Sequence, residues 1–216
     1  MPRRAALSPD VIARKALDVG DREGPKAMTM RRIAAALDCD PMALYRHFPD
    51  RQALLDAVAD LALADVPDPQ PRQPWEARVL AVLTGIRAAA LRHRGIAGHV
   101  AARPPLQRNG QRLAAAIVQA LTDSGLPPAD VVRAAQALVA YLAAALAMSV
   151  QAGAPDARWH QLRATIAALP APAPDAALPA DALPVTGSAD QFDYGIRLLI
   201  SGIRAEAQAS HAGTVG

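Results

Sequence analysis

The chain has 216 residues, of which 52 are alanine; it is 52% hydrophobic and only 3% aromatic. That apolar content excludes wholesale disorder, and the scarcity of aromatic and β-branched residues argues against a β-sandwich. A single cysteine, Cys39, excludes a disulfide framework and a cysteine zinc cluster. The net charge of +3 lies wholly in residues 1–51, which hold 10 Lys and Arg against 7 Asp and Glu. Such asymmetry is expected of a chain with one anion-facing segment, while the arginines, 21 of the 23 basic residues, equally fit a bias of genomic base composition.

Helix signals then follow one another along the chain. Arg3 and Arg4 have no apolar run behind them, so no signal peptide is expected. Ser8-Pro9 is a helix start, with serine as cap and proline in the first turn, and Ile12, Ala16 and Val19 follow at helical spacing. Thr29 caps a second helix with Ile33, Ala34 and Leu37 on one face. That helix must stop by Asp38, because Asp40-Pro41 opens a third, running from Pro41 to His47 and closed by Pro49. Leu54, Val58 and Leu61 predict a fourth over about 51–64. Pro67, Pro69, Pro71 and Pro74 then make 65–74 a stiff linker.

Apolar stripes predict further helices over 75–93, over 106–124, which Ser124-Gly125 ends, and over 131–152. A last stripe, Phe192 to Ile203, predicts a helix over 190–208 after a proline-rich loop at 170–188. The uncharged run 134–155 is 22 residues, nominally long enough to span a bilayer. Its alanines, Gln136 and Gln151 indicate an interface or core helix instead, with Ala140, Ala144 and Ala145 letting another helix approach. A soluble, cytoplasmic protein without membrane contact is the expectation. No strand and no internal repeat is discernible.

The informative segment is 29–48. About three residues separate two short capped helices, which forces them to cross sharply as a helix-turn-helix. In that arrangement Leu44 and Phe48 face inward, while Met42, Ala43, Tyr45 and Arg46 lie outward or at the edge. A helix of this size enters the DNA major groove, where Arg31 can reach a base or phosphate. Tyr45, His47 and Arg51 can donate to phosphates, and Met42 and Ala43 can touch a thymine methyl.

Residues from about Leu7 to Leu63 resemble the DNA-binding domain of the tetracycline repressor (TetR) family of transcriptional regulators. The motif runs from Thr29-Met30-Arg31-Arg32-Ile33-Ala34 through Leu44-Tyr45-Arg46-His47-Phe48 to Arg51-Gln52-Ala53-Leu54-Leu55-Asp56. The resemblance implies an all-α chain with a three-helix DNA-binding domain at 1–50 and a connecting helix and linker at 51–74. A ligand-binding and dimerisation domain follows at 75–209, with a tail at 210–216. It implies DNA contacts at Thr29, Met30, Arg31, Pro41, Met42, Ala43, Tyr45, His47 and Arg51. Asp38 stands where the family usually has glycine, and aspartate tolerates a left-handed turn.

Beyond residue 65, Pro74-Trp75, Arg87, His93-Arg94, His99 and Arg103-Pro104 are similar in spacing to the tetracycline-repressor-like C-terminal domain of that family. This resemblance implies that His99 and Arg103 lie at the effector site and the signalling segment beside it. Val82 is apolar where a drug-binding member has a polar contact, so the same ligand does not follow. An apolar pocket with Val82, Ile86, His99, Arg103, Ile117 and Leu138 is expected for an unidentified small molecule, with no cofactor and no metal. The resemblance also implies a homodimer through helices 131–152 and 190–208, matching a palindromic double-stranded operator.

The expected function is a repressor released from its operator by a small molecule. An activator of the same family and a helical adaptor lacking a specific operator are the alternatives. Five histidines and Cys39 form no spaced nucleophile–base pair, and the chain has no glycine-rich phosphate loop, so it does not read as an enzyme.

Overall fold

A computed structural model describes residues 7–169 and 179–213; Pro170, Pro172 and Pro174 of the expected loop lie outside them. Ten α-helices and no strand are found among the described residues. They are α1 (Pro9–Glu23), α2 (Met30–Ala36), α3 (Pro41–Tyr45), α4 (Arg51–Ala62) and α5 (Trp75–Arg92), then α6 (Arg94–Ala102), α7 (Arg108–Thr122), α8 (Pro128–Gln151), α9 (Ala157–Ala167) and α10 (Ala189–Gly213).

Side-chain caps set the N-terminal helices. Ser8 accepts from the Val11 amide at 3.3 Å, Thr29 from Arg32 at 3.2 Å, Asp40 from Met42 at 2.7 Å and Asp50 from Ala53 at 2.7 Å. Each satisfies an amide that the first helical turn leaves without a partner. Between α2 and α3 the chain reverses at Asp38, whose φ of 51° lies in the left-handed region. α3 is two residues shorter than expected, Arg46 and His47 forming a turn at its end.

Two apolar cores result. One, built from Ile12, Ala16, Ile33, Leu44, Leu54 and Val58, holds α1 to α4 together and extends to Ile96, Ala97 and Val100 of α6 and to Leu146 of α8. The other joins α5, α7, α8 and α10 through Leu83, Leu113, Leu121, Leu138, Phe192 and Ile196. The apolar packing therefore does not divide at the 65–74 linker. That linker is itself held: Val66 is buried, and Arg112 donates to its carbonyl at 2.9 Å while pairing with Asp68.

α6 is not visible in the sequence, because it is short and contains Gly95 and Gly98, both weak helix formers. Its packing explains the glycine. A Cβ on Gly95 would stand 2.4 Å from the Gly20 carbonyl carbon and oxygen, so α1 and α6 cross almost backbone to backbone. α9 also lacks a sequence signature, for it buries no residue and has no apolar stripe. Asp156 starts it by accepting from the Trp159 amide at 2.9 Å.

α8 has the length and composition of a membrane span, yet it packs against α5, α6, α7 and α10. Ala145 faces the core, whereas Ala140 and Ala144 are exposed. α10 likewise exposes Tyr194 and Leu198 opposite its buried Phe192, Ile196 and Ile200.

Candidate functional site

The helix-turn-helix presents a compact polar and apolar face to solvent. Met42 is 68% exposed and Tyr45 44%, both on α3. Thr29, Arg31 and Arg51 are exposed, and Pro41 and His47 are half-buried. Arg31 and Arg32 differ in kind. Arg32 pairs with Glu23 across the α1–α2 corner and lowers that carboxyl from its usual value. Arg31 has no ion partner among the described residues and extends from the first turn of α2. Arg51 donates from Nε to the Met28 carbonyl at 2.7 Å, which fixes its guanidinium against the approach to α2.

Two of the expected contact residues turn inward. Met30 is 6% exposed and Ala43 8%. Met30 opens α2 on the same face as Ile33 and Ala34, three and four residues on, and so belongs to the core. Ala43 sits beside Leu44 on the short helix packed against α2, where one methyl does not reach out of the helix contact.

The head is joined to the rest of the chain through two carboxylates of α4. Asp56 Oδ1 lies 2.7 Å from His99 Nε2, and Arg103 donates to both Asp56 oxygens at 3.3 and 3.2 Å. Arg103 holds the Asp56 carboxyl below its usual value, His99 adds to the effect, and partial burial opposes it. One turn further along, the buried Asp60 accepts from the amides of Asn109 at 3.1 Å and Gly110 at 2.8 Å, so it caps the first turn of α7. The Asn109 side-chain amide adds a bond to the same carboxylate at 3.0 Å. A third tie is the 2.7 Å contact of His93 Nδ1, at the start of α6, with Asp21 of α1. None of these partnerships is legible in the sequence, since most join residues more than forty positions apart.

A cavity of about 150 Å³ opens between α5, α6, α7 and α8. Leu63 beyond α4, Ile86, Val100, Leu106, Ile117 and Leu146 represent its walls, and every lining residue is Leu, Ile, Val, Ala, Pro or Gly. Of the residues expected there, Ile86 and Ile117 line it. Val82 and Leu138 are buried in the adjoining core without reaching it. His99 and Arg103 bind Asp56 and do not line it. A wider cleft of about 670 Å³ lies between the end of α8 and α9. No three His, Cys, Asp or Glu side chains converge as a metal site among the described residues.

A capped helix-turn-helix tied through α1 and α4 to a cavity-bearing helical domain is the architecture of a DNA-binding sensor. Residues 12–58 match the family profile described as bacterial regulatory proteins, tetR family. Residues 67–207 match the profile described as Tetracyclin repressor-like, C-terminal domain. The chain is 29% identical over 202 residues to the tetracycline repressor protein class A of transposon 1721 from Escherichia coli, covering 91% of this chain and 90% of that protein. The crystal structure of apo ActR from Streptomyces coelicolor matches with a TM-score of 0.76 at 28% identity, over 94% of this chain and 99% of ActR. ActR in complex with actinorhodin matches at 0.74 with the same identity and coverage. The chain belongs to the TetR family: it is a ligand-responsive, DNA-binding transcriptional regulator and not an enzyme.

Proposed function

We propose that this regulator is a repressor that binds a palindromic operator as a homodimer and is released when a small molecule occupies the cavity walled by Ile86, Val100, Ile117 and Leu146. The reading face is Thr29, Arg31, Pro41, Met42, Tyr45, His47 and Arg51. Met42 offers an apolar contact to a thymine methyl, and Arg31 a fork of donors to a base edge or phosphate. The dimer forms through α8 and α10, where exposed Ala140 and Ala144 allow close approach and Tyr194 and Leu198 supply apolar area. The protein acts in the cytoplasm, where its DNA lies, and needs neither a metal nor a cofactor.

One observation carries this reading: α4, the helix leaving the head, is gripped at Asp56 and Asp60 by residues on either side of the segment that walls the cavity. A ligand that displaces that segment shifts α4 and with it the spacing of two heads across the dimer. Such a shift needs only a difference in ligand affinity between the two arrangements. Footprinting on the DNA flanking the regulator's own gene tests the proposal. A protected palindrome, bound at moderate salt as one dimer per site, is the expected result. Binding that is equally tight on any duplex would overturn it.

A further inference from the structure

No side chain lining the cavity can hydrogen-bond a ligand. Its lining side chains are all aliphatic, and the histidine and arginine nearest in sequence are both bound to Asp56. A charged or multiply polar molecule entering it would surrender its bonds to water and find no replacement. A hydrocarbon surface loses nothing by the same transfer. Size narrows the choice further: the cavity is about 150 Å³, and an apolar cavity of about that volume lined by Leu, Ile and Phe takes up benzene or xenon in another protein.

The position of the lid gives such a molecule a consequence. Pro104, Pro105 and Leu106 form one wall, and Leu106 is 80% exposed on the outer side. Arg103, just before them, holds Asp56; Asn109 and Gly110, just after, hold Asp60. The segment has little slack, because a Cβ on Gly110 would lie 1.9 Å from the Pro105 carbonyl oxygen. Anything that pushes on it pulls at both grips on α4.

Resting on the reading of the chain as a ligand-released DNA-binding regulator, we propose that its effector is a compact, uncharged hydrophobic molecule. Its buried part is the size of a single aromatic or alicyclic ring, and it seats against Pro104–Leu106. The pocket thus rejects a polar, charged, multi-ring drug.

The test uses the full-length protein with toluene as the probe. Thermal melts and gel shifts on the footprinted operator are run with wild type and with Ala143→Leu, which fills the cavity from α8; Ala114→Leu fills it independently from α7. Toluene should raise the wild-type melting temperature in a concentration-dependent way and weaken operator binding at least tenfold. The filled variants should keep operator binding and lose the toluene response, whereas tetracycline with magnesium should have no effect on any of them. If benzene, toluene and cyclohexane all leave a wild type that binds its operator unchanged, the ligand class is wrong and the regulator stands. Toluene binding without operator release, or release by tetracycline with magnesium, would also overturn the proposal. Failure to find any specific operator would instead sink the regulator reading on which it rests.

Discussion

Asp56 on α4 and His99 on α6 meet at 2.7 Å, with Arg103 closing on the same carboxylate from the end of α6. One acidic side chain thus joins the helix leaving the helix-turn-helix to a helix that walls the apolar cavity. Asp56 is held below its ordinary carboxylate value of 3.8, with Arg103 the largest cause. A carboxyl lowered in the folded state stabilises above its unfolded value, and that stabilisation is lost as pH falls through the folded value. The melting-temperature difference between wild type and Asp56→Asn should therefore shrink in acid, as pH falls through the folded carboxyl value. Parallel pH profiles for the two proteins would show that the contact contributes nothing.

The crossing of α1 and α6 supplies a second expectation with its own control on the same helix. Gly95→Ala places a methyl 2.4 Å from Gly20 backbone atoms, so the helices must separate. Overpacking of this kind costs about 1–3 kcal/mol, several degrees of melting temperature in a chain of this length. Gly98→Ala meets nothing nearer than Val150 Cγ1 at 3.9 Å. It should stabilise by about 0.5–1 kcal/mol through helix propensity alone. Chemical denaturation of both variants checks the opposite signs.

What could be read from the sequence divides along physical lines. Ser8, Thr29 and Asp40 announced their helices because capping is local, and the stripes of α5, α7, α8 and α10 were visible because each buries apolar residues at helical spacing. α6 was hidden because a backbone-to-backbone crossing demands glycine, the residue that most weakens a helical signal after proline. α9 was hidden because it buries nothing. At the candidate site, the exposure of Arg31 and Tyr45 was legible, but the inward turn of Met30 was not, since it depends on sharing a face with Ile33 in a helix only seven residues long. Asp56 and Asp60 look like solvated charges on an amphipathic helix; only the tertiary fold brings them His99, Arg103, Asn109 and Gly110.

The turn residue Asp38 has a φ of 51°, a conformation that costs an L-residue with a Cβ roughly 1–2 kcal/mol unless its side chain compensates. Comparing Asp38→Gly with Asp38→Ala isolates this term, because both variants remove the carboxylate. The glycine variant should be more stable than the alanine variant by about 1 kcal/mol. Equal stabilities would mean that the turn relaxes out of the left-handed region without cost.

Reading-face and core residues of the helix-turn-helix should separate cleanly by assay. Arg31→Ala removes an exposed cation with no ion partner among the described residues, so folding stability should change by less than about 0.5 kcal/mol. Operator affinity should fall by about 1–3 kcal/mol if the guanidinium reads a base edge, and the loss should then depend on the base at that position. If it holds a phosphate instead, affinity should drop uniformly across operator sequences and the salt slope should shrink by about one. Tyr45→Ala should behave like the phosphate case, since its hydroxyl is a single donor on an exposed ring. Met30→Ala is the contrast: the side chain is buried with Ile33 and Ala34, so the chain should lose about 2–4 kcal/mol of stability. Its operator affinity, measured where the protein remains folded, should change little. Gel shifts across a salt series, paired with denaturation curves for all three variants, decide the matter. A Met30→Ala protein with wild-type stability and no operator binding would move that residue from the core to the reading face.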